Sequence, residues 1–510
     1  MAEKYDLIVI GAGNSGLMAA CRASRMGLKT LVIERHNMPG GAASSFVRGR
    51  FEFEASLHEV PSFGEGNELK RIFDELGIKT DMVQTRDSYR YIVNENGKTT
   101  LDVTVPHGRE KVMEFIDREC PGDHEAMEKF FMACKDMENG LNYFGNSRGN
   151  PDPAVMERDH KNFMKIMAMS SGEFFRSIGM SQKLIDILAA YWPYQGVDIE
   201  RVDASRYIMM LSGYFLDGAY VPRLRSHQLS LAIAERAAEL GCRFLYDTEV
   251  TGILTKKGAV SGVKVADGRV FEATAIASSA FPEVVYSKLI DNKDLVPKFE
   301  LKKANARHYG FRAFSVYLGL DASPEELGIK DYTIFITNSL DTRKLYDECE
   351  YIIDDIPLLD VCCLNMAVPE CSPEGTTEIV LTLSYTEDAW ADVTEKNYVE
   401  TKRKVANDMI DRFEKVLGIR IRDHIEEIEI ASPVTFARYM YTPQGTIYGY
   451  LSDTWDGMSS RTISNGTEPT VPGLFFVGGH ANSLSGYFPT YTSGNRTGFP
   501  ILGYVMGGGN

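Results

Sequence analysis

Cysteine is scarce. Eight in 510 residues (Cys21, Cys120, Cys134, Cys242, Cys349, Cys362, Cys363 and Cys371) are too few for a disulfide framework, and none form a CxxC pair. Reduced, mostly buried thiols in a cytoplasmic protein are expected, which argues against thiol–disulfide exchange. Basic charge is also short: 55 Lys and Arg stand against 71 Asp and Glu, for a net charge of −16. General nucleic-acid binding needs a basic face, so no nucleic-acid partner is expected. Long apolar runs are missing. Nothing approaches the roughly 18 residues that span a bilayer. The early run LIVI (residues 7–10) is too short for a secretory signal and breaks at Gly11. There is no internal repeat and no low-complexity linker. What remains is an ordinary globular mix, 44% hydrophobic and 25% charged, on a chain too long for one ordinary domain.

The most specific pattern lies at the N-terminus. YDLIVI (5–10) reads as a short buried parallel strand, followed by Gly11-Ala-Gly13-Asn14-Ser15-Gly16 and an apolar-periodic helix closed by Gly27. A second strand runs from Lys29 to Ile33 and ends on Glu34. Gly11 allows the tight turn, Gly13 lets backbone approach a pyrophosphate, and Gly16 lets helix pack on strand. The helix N-terminus, with Asn14 and Ser15, offers free N–H groups and a positive dipole end to phosphates. Glu34 is placed to accept ribose hydroxyls and would repel a 2′-phosphate, which disfavours NADP. Strand, GxGxxG, helix and acid in this order point to a dinucleotide site, for FAD or NAD.

The next segment separates those two. ERHNMPGGAASSF, carrying Arg35, Gly40, Gly41 and Ala42, resembles the segment after the second strand in the family of phytoene desaturases, carotenoid isomerases and retinol saturases. In that family the paired glycines pass close to the flavin pyrophosphate. FEFEASLHEVPSFG (51–64) is similar to the family's next stretch; Glu54 stands where aspartate is usual, Ser56 where glycine is common, and His58 matches a histidine of saturase-like members. Trp192-Pro-Tyr194-Gln-Gly196 and GYFLDGAYVPRLRSHQLSLAIAERAAELG (213–241) resemble the family's middle block, except that Leu224-Arg225 replaces paired glycines. Ser226 is a candidate N-cap of the helix that follows and Gly241 its closing glycine. Lys257-Gly258 and Asp267-Gly268 read as hairpin turns. Val250 resembles the position whose backbone holds the adenine.

GLFFVGGHANSLSGYFPTYTSGNRTG (473–498) looks like the family's last strand, flavin-contact loop and last helix. Gly478, Gly479, His480, Gly486, Tyr487 and Phe488 fall in this stretch. Gly479 replaces an aspartate that contacts the ribityl or phosphate region, a bond that His480 or Asn482 is positioned to supply instead. Gly498 and Pro500 predict a short or kinked terminal helix.

The resemblance implies an α/β fold: a Rossmann-type FAD-binding domain of the GR2-like flavoprotein kind with a mixed α+β substrate domain inserted. The expected cofactor domain is discontinuous (1–75, 222–290 and 465–510), and 76–221 with 291–464 form the substrate or cap domain. Residues 110–220 read as mostly helical, 305–385 contain strand-like stretches, and 395–417 read as a charged, exposed helix.

FAD is the implied cofactor, with no metal. The implied chemistry is hydride transfer to and from flavin N5 at carbon–carbon double bonds of an apolar substrate (a fatty acid, a carotenoid or another polyene). Desaturation, saturation and isomerisation all remain open. With no second GxGxxG before a helix, a separate nicotinamide domain is not expected. C–N oxidation of the amine oxidase kind, or lipid carriage without catalysis, are the alternatives. His58 is a candidate for the substrate cavity or a structural hydrogen bond. Arg223, Arg225 and His227 read either as a solvated helix start or as an anchor for a substrate anion, with Arg225 the preferred anchor. Tyr487, Phe488 and Tyr491 either line the flavin face or pack in the core. The Met- and Phe-rich stretch 163–180 packs in the cap, or else faces a membrane or a lipid tunnel, leaving peripheral membrane contact open.

Overall fold

The computed structural model describes residues 3–147, 150–386, 388–452, 454–458, 461, 469–480 and 484–508. Its first sheet is built on the fingerprint. Five parallel strands lie in the order Arg243–Leu245, Thr30–Ile33, Lys4–Ile10, Val270–Ser278 and Leu474–Phe476. Strands Val250–Lys256 and Ala259–Val265 add an antiparallel meander to the outer end of Val270–Ser278. The hairpin expected at Lys257-Gly258 is present, and both residues take the left-handed φ (54° and 85°) that such a turn needs.

Three helices share one core on this sheet: Asn14–Arg25, Arg225–Glu239 and Tyr487–Met506. The last one corrects a sequence expectation. It runs unbroken for 20 residues through Gly498 and Pro500. Its glycines serve close packing rather than termination. A Cβ on Gly494 would lie 2.2 Å from the Ser15 carbonyl oxygen, and one on Gly498 would lie 2.5 Å from Arg22 Cγ. The terminal helix therefore lies almost backbone-to-backbone on the fingerprint helix.

The second sheet has seven strands, ordered Ile425–Ala431, Arg312–Leu320, Thr377–Tyr385, Leu358–Cys363, Thr333–Thr337, Asp87–Glu95 and Lys98–Pro106. All pairs are antiparallel except Thr333–Thr337 with Asp87–Glu95. Its two faces differ. Phe314, Val316, Leu381 and Leu383 share a core with Met409 and Phe413 of the helix Tyr398–Leu417. That helix, expected to be exposed, thus buries one apolar stripe. The opposite face presents Ala313, Ser315, Val380, Thr382, Ser384 and Asp360 to an internal cavity. Helices between residues 109 and 212 form the far wall; of their Met and Phe residues at 163–180, Phe163, Phe174, Phe175 and Met180 are buried in the cap core, Met167 and Met169 pack against it, Met164 is exposed, and none lines the cavity. A small sheet of Val60–Pro61, Ala219–Pro222 and Met82–Gln84 ties the two halves together.

Among the described residues no helix is long and apolar enough to cross a membrane.

Candidate functional site

One cavity of about 2910 Å³ runs from the glycine fingerprint to the polar face of the second sheet. This is several times the roughly 300–1,000 Å³ of an ordinary small-molecule pocket, enough for a dinucleotide and a second ligand.

At the fingerprint end, Gly11 has φ 96°, and a Cβ there would fall 2.2 Å from Ser279 Oγ. The 40–41 loop folds back onto the fingerprint: the Gly40 N–H donates to the Ala12 carbonyl at 2.8 Å, and a Cβ on Gly40 (φ 128°) would fall 2.3 Å from the Ala43 carbonyl oxygen. The two glycine segments are thereby held against each other, with Gly13, Asn14, Ser15, Gly41 and Ala42 on the cavity wall. Gly13 caps the helix with no side-chain acceptor, so the first-turn N–H groups are open to an anion. Asn14 Oδ1 is buried without a hydrogen-bond partner. Glu34 accepts from the Ala12 N–H (2.7 Å) and the His36 N–H (2.8 Å), which fixes its carboxylate at the cavity edge with lone pairs to spare. Arg35 and Val250, the first residue of the strand Val250–Lys256, border the same end. An uncapped helix N-terminus fits the pyrophosphate of FAD, and a fixed carboxylate fits its ribose.

Residues 478–480 and 484–488 form the next part of the wall. Gly478 (φ 90°), Gly479 and His480 follow the last parallel strand, and Gly486 (φ 101°) caps the terminal helix. The His480 ring stacks on Phe281 at 4.1 Å. Burial pulls its imidazole down to about 4, and its Nδ1 has no partner. His480 is therefore a neutral ring with a free polar atom, consistent with the hydrogen bond the missing aspartate would have made. Asn482 lies outside the described residues. Tyr487 and Phe488 line the cavity, whereas Tyr491 is buried against Phe73 and Tyr487. The Tyr487 hydroxyl shares a hydrogen bond with Ser56 Oγ at 3.1 Å, and Ser56 donates to the Ala42 carbonyl at 2.7 Å. The resemblance motifs at 40–42, 56 and 487 thus meet in space.

Beyond them, His58 lines the cavity with Nδ1 3.2 Å from the Tyr194 hydroxyl, and burial pulls it down to about 4. Behind it Glu59 accepts from Tyr191 (2.8 Å) and Thr333 (3.1 Å), and burial pushes its carboxyl up to about 8. The sequence reading missed two further residues on this wall. Asp360 opposes Thr382 across the sheet, and burial alone pushes its carboxyl up to about 8. Arg206 enters from the opposite wall on the helix Ala204–Ser212. The sequence signal was a lone charge in the otherwise uncharged ASRYIMMLS.

Arg225 corrects the sequence reading. It does not line this cavity. Its Nη2 donates to Glu378 Oε2 (2.7 Å) and the Cys371 carbonyl (2.6 Å), with both ionic side chains at most 4% exposed. An internal carboxylate, not a substrate, neutralises it. Arg225 has φ 68°, the left-handed region that glycine accepts freely, which explains why the related segments carry glycine there. Arg223 is likewise paired, to Asp81 and Glu370 at the surface. Ser226 is not the N-cap; the helix begins at Arg225. Glu54 caps it instead, accepting from the Ser226 N–H (2.8 Å) and Oγ (2.6 Å) and from the Leu57 N–H (3.1 Å). The longer Glu, in place of the usual Asp, reaches this first turn as a carboxylate at a helix N-terminus.

The fold and this wall define an FAD-dependent enzyme of the oxidoreductase or double-bond isomerase class, with its cofactor bound on a Rossmann-type sheet. The chain belongs to the family of flavin-containing amine oxidoreductases, whose model matches residues 14–496. An all-trans-retinol 13,14-reductase of Danio rerio is 23% identical over 480 residues, covering 88% of this chain and 78% of the relative. Prolycopene isomerase 2, chloroplastic, of an Oncidium hybrid cultivar is 25% identical over 483 residues, covering 88% of this chain and 76% of that one. Among solved structures, an oxidoreductase from Methanosarcina mazei superposes with a TM-score of 0.64 at 16% identity, over 99% of this chain and 100% of that one, which shows the shared fold.

Proposed function

We propose that this protein uses FAD to move hydride at carbon–carbon double bonds of a long apolar polyene. The observation that carries this reading is the single cavity joining the dinucleotide loop to a deep chamber walled by Ala55, Leu57, Met209, Met210, Val380 and Tyr448. Similarity to a retinol reductase and a prolycopene isomerase supports the same class of substrate. Residues 1–75, 222–290 and 465–510 would hold the cofactor, and 76–221 with 291–464 would enclose the substrate.

Gly11, Gly13, Asn14, Ser15 and Gly16 would receive the pyrophosphate, with Arg35, Gly40, Gly41 and Ala42 closing over it. Glu34 would take the ribose, Val250 the adenine edge, and Gly478, Gly479, His480, Gly486, Tyr487 and Phe488 the flavin side. Bound FAD supplies hydride acceptance and donation at carbon. The chain orients the polyene and excludes water. His58 and Tyr194 present a neutral hydrogen-bonded pair, because burial disfavours the imidazolium. Asp360 holds a proton at neutral pH. Saturation needs a proton as well as a hydride, and Asp360 is placed on the wall to give one. Isomerisation needs none.

The test is anaerobic incubation of the dithionite-reduced holoenzyme with all-trans-retinol and with cis-configured carotenoids, and of the oxidised holoenzyme with amines, followed by flavin absorbance and product mass. Reoxidation with a gain of two hydrogens marks saturation, and an unchanged mass with altered retention marks isomerisation. Turnover of amines without turnover of any polyene overturns the reading.

A further inference from the structure

Arg206 is a buried guanidinium with no ion-pair partner among the described residues. It is 4% exposed, yet it lines the cavity beside Met209, Met210 and Tyr448. Its Nη1 is sealed from solvent without a hydrogen-bond acceptor. Among the described residues no carboxylate lies within the 4.0 Å of an ion pair with it. The two nearby acids are committed elsewhere. Asp456 binds Arg307 (2.8 Å) and Arg461 (2.9 Å), while Asp203 caps the Arg206 helix and accepts from the Met458 N–H.

A buried carboxyl without a partner can escape its cost by taking a proton, as Asp360 does. A guanidinium has no such exit at neutral pH. Burial and the neighbouring Arg461 pull Arg206 down only to about 10, so it stays charged. An unpaired buried charge of this kind calls for a ligand.

We propose that Arg206 anchors the carboxylate head group of an elongated apolar substrate. This rests on the double-bond reading for the reaction but names the end of the molecule remote from it. The neighbourhood favours one negative charge rather than two, because Asp203 and Asp456 would repel a phosphate dianion. The thioethers of Met209 and Met210, one turn along the same helix, suit the adjoining hydrocarbon. The anion specificity expected at Arg225, which lies off the cavity, is thus relocated to Arg206 on its wall.

The experiment titrates the FAD holoenzyme with lauric acid, methyl laurate and lauryl alcohol, reading perturbation of the flavin absorbance band. None of these has a double bond to react, so the result stands apart from whether the polyene reading survives its turnover test. Wild type is expected to bind the acid roughly 10-fold or more tightly than the ester or alcohol, the scale of a charge-assisted pair. Arg206→Met should bind acid and ester alike, and Arg206→Lys should keep part of the preference. Should Arg206→Met fail to fold, the wild-type comparison and Arg206→Lys still decide. Equal binding of acid and ester by wild type, or an undiminished acid preference in Arg206→Met, overturns the proposal.

Discussion

Arg225 and Glu378 form a buried ion pair at 2.7 Å, and the Arg end of it sits on backbone at φ 68°. Burial pushes Glu378 up to about 7 despite the arginine, so the pair depends on Arg225 to keep its carboxylate ionised. Removing one partner of a buried pair strands the other, at about 3–5 kcal/mol. Arg225→Leu should therefore lower unfolding free energy by that amount in a denaturant titration. Arg225→Leu with Glu378→Leu should recover much of it. KM for an acid and for its ester should change equally in the single variant, because Arg225 is not on the cavity wall.

Glu34 spends both carboxylate oxygens on backbone N–H groups while facing the cavity. Glu34→Ala removes a ribose acceptor and also frees the Ala12 and His36 amides. FAD affinity, measured by fluorescence during reconstitution of apoprotein, should fall by about 1.5–3 kcal/mol, the value of a charge-assisted hydrogen bond. Glu34→Gln should lose less, since its amide oxygen still accepts. Unchanged affinity in both variants would remove Glu34 from the ribose site.

His58 and Tyr194 meet at 3.2 Å, and the imidazole is neutral down to about pH 4. The pH profile of kcat should therefore show no His58 ionisation between about pH 5 and 8. His58→Ala should keep bound flavin and lower kcat by roughly five-fold, the cost of one neutral hydrogen bond near 1 kcal/mol. A pH step near 6.5 that vanishes in His58→Ala would contradict the neutral assignment.

The cofactor end was legible in the chain because its demands are local. Turn, uncapped helix and acid lie within residues 11–34, so spacing alone announces them. The terminal helix was misjudged because Gly498 and Pro500 were weighed as breakers, whereas Gly498 answers to Arg22, 476 positions away in sequence. Arg225 was misjudged for a related reason. The family resemblance shows that a charge stands where glycine is usual, not which way it points, and its partner Glu378 lies on a distant strand. Asp360 was hidden by LLDVCC, a strand buried on both faces with no alternation to mark the cavity side.

Asp360 gives the last prediction. Its folded carboxyl is pushed up to about 8 from an ordinary 3.8, and burial is the sole cause. A raised carboxyl contributes stability that is fully present below the unfolded value and is lost as pH climbs through the folded one. Wild type should thus lose stability between about pH 4 and 8 through this group, on the order of a few kcal/mol. Glu59 titrates over the same range, so the wild-type slope alone does not assign it. Asp360→Asn cannot ionise. The difference between wild type and Asp360→Asn in urea unfolding should shift in favour of the variant as pH rises from 4.5 to 7.5. The same variant separates the two reactions. If Asp360 delivers the proton for saturation, Asp360→Asn should slow formation of the dihydro product by about 10²-fold or more while leaving cis–trans isomerisation of a polyene within a few-fold. Equal losses in both would place Asp360 in substrate binding, and no loss in either would leave it a structural acid whose only signature is the pH dependence of folding.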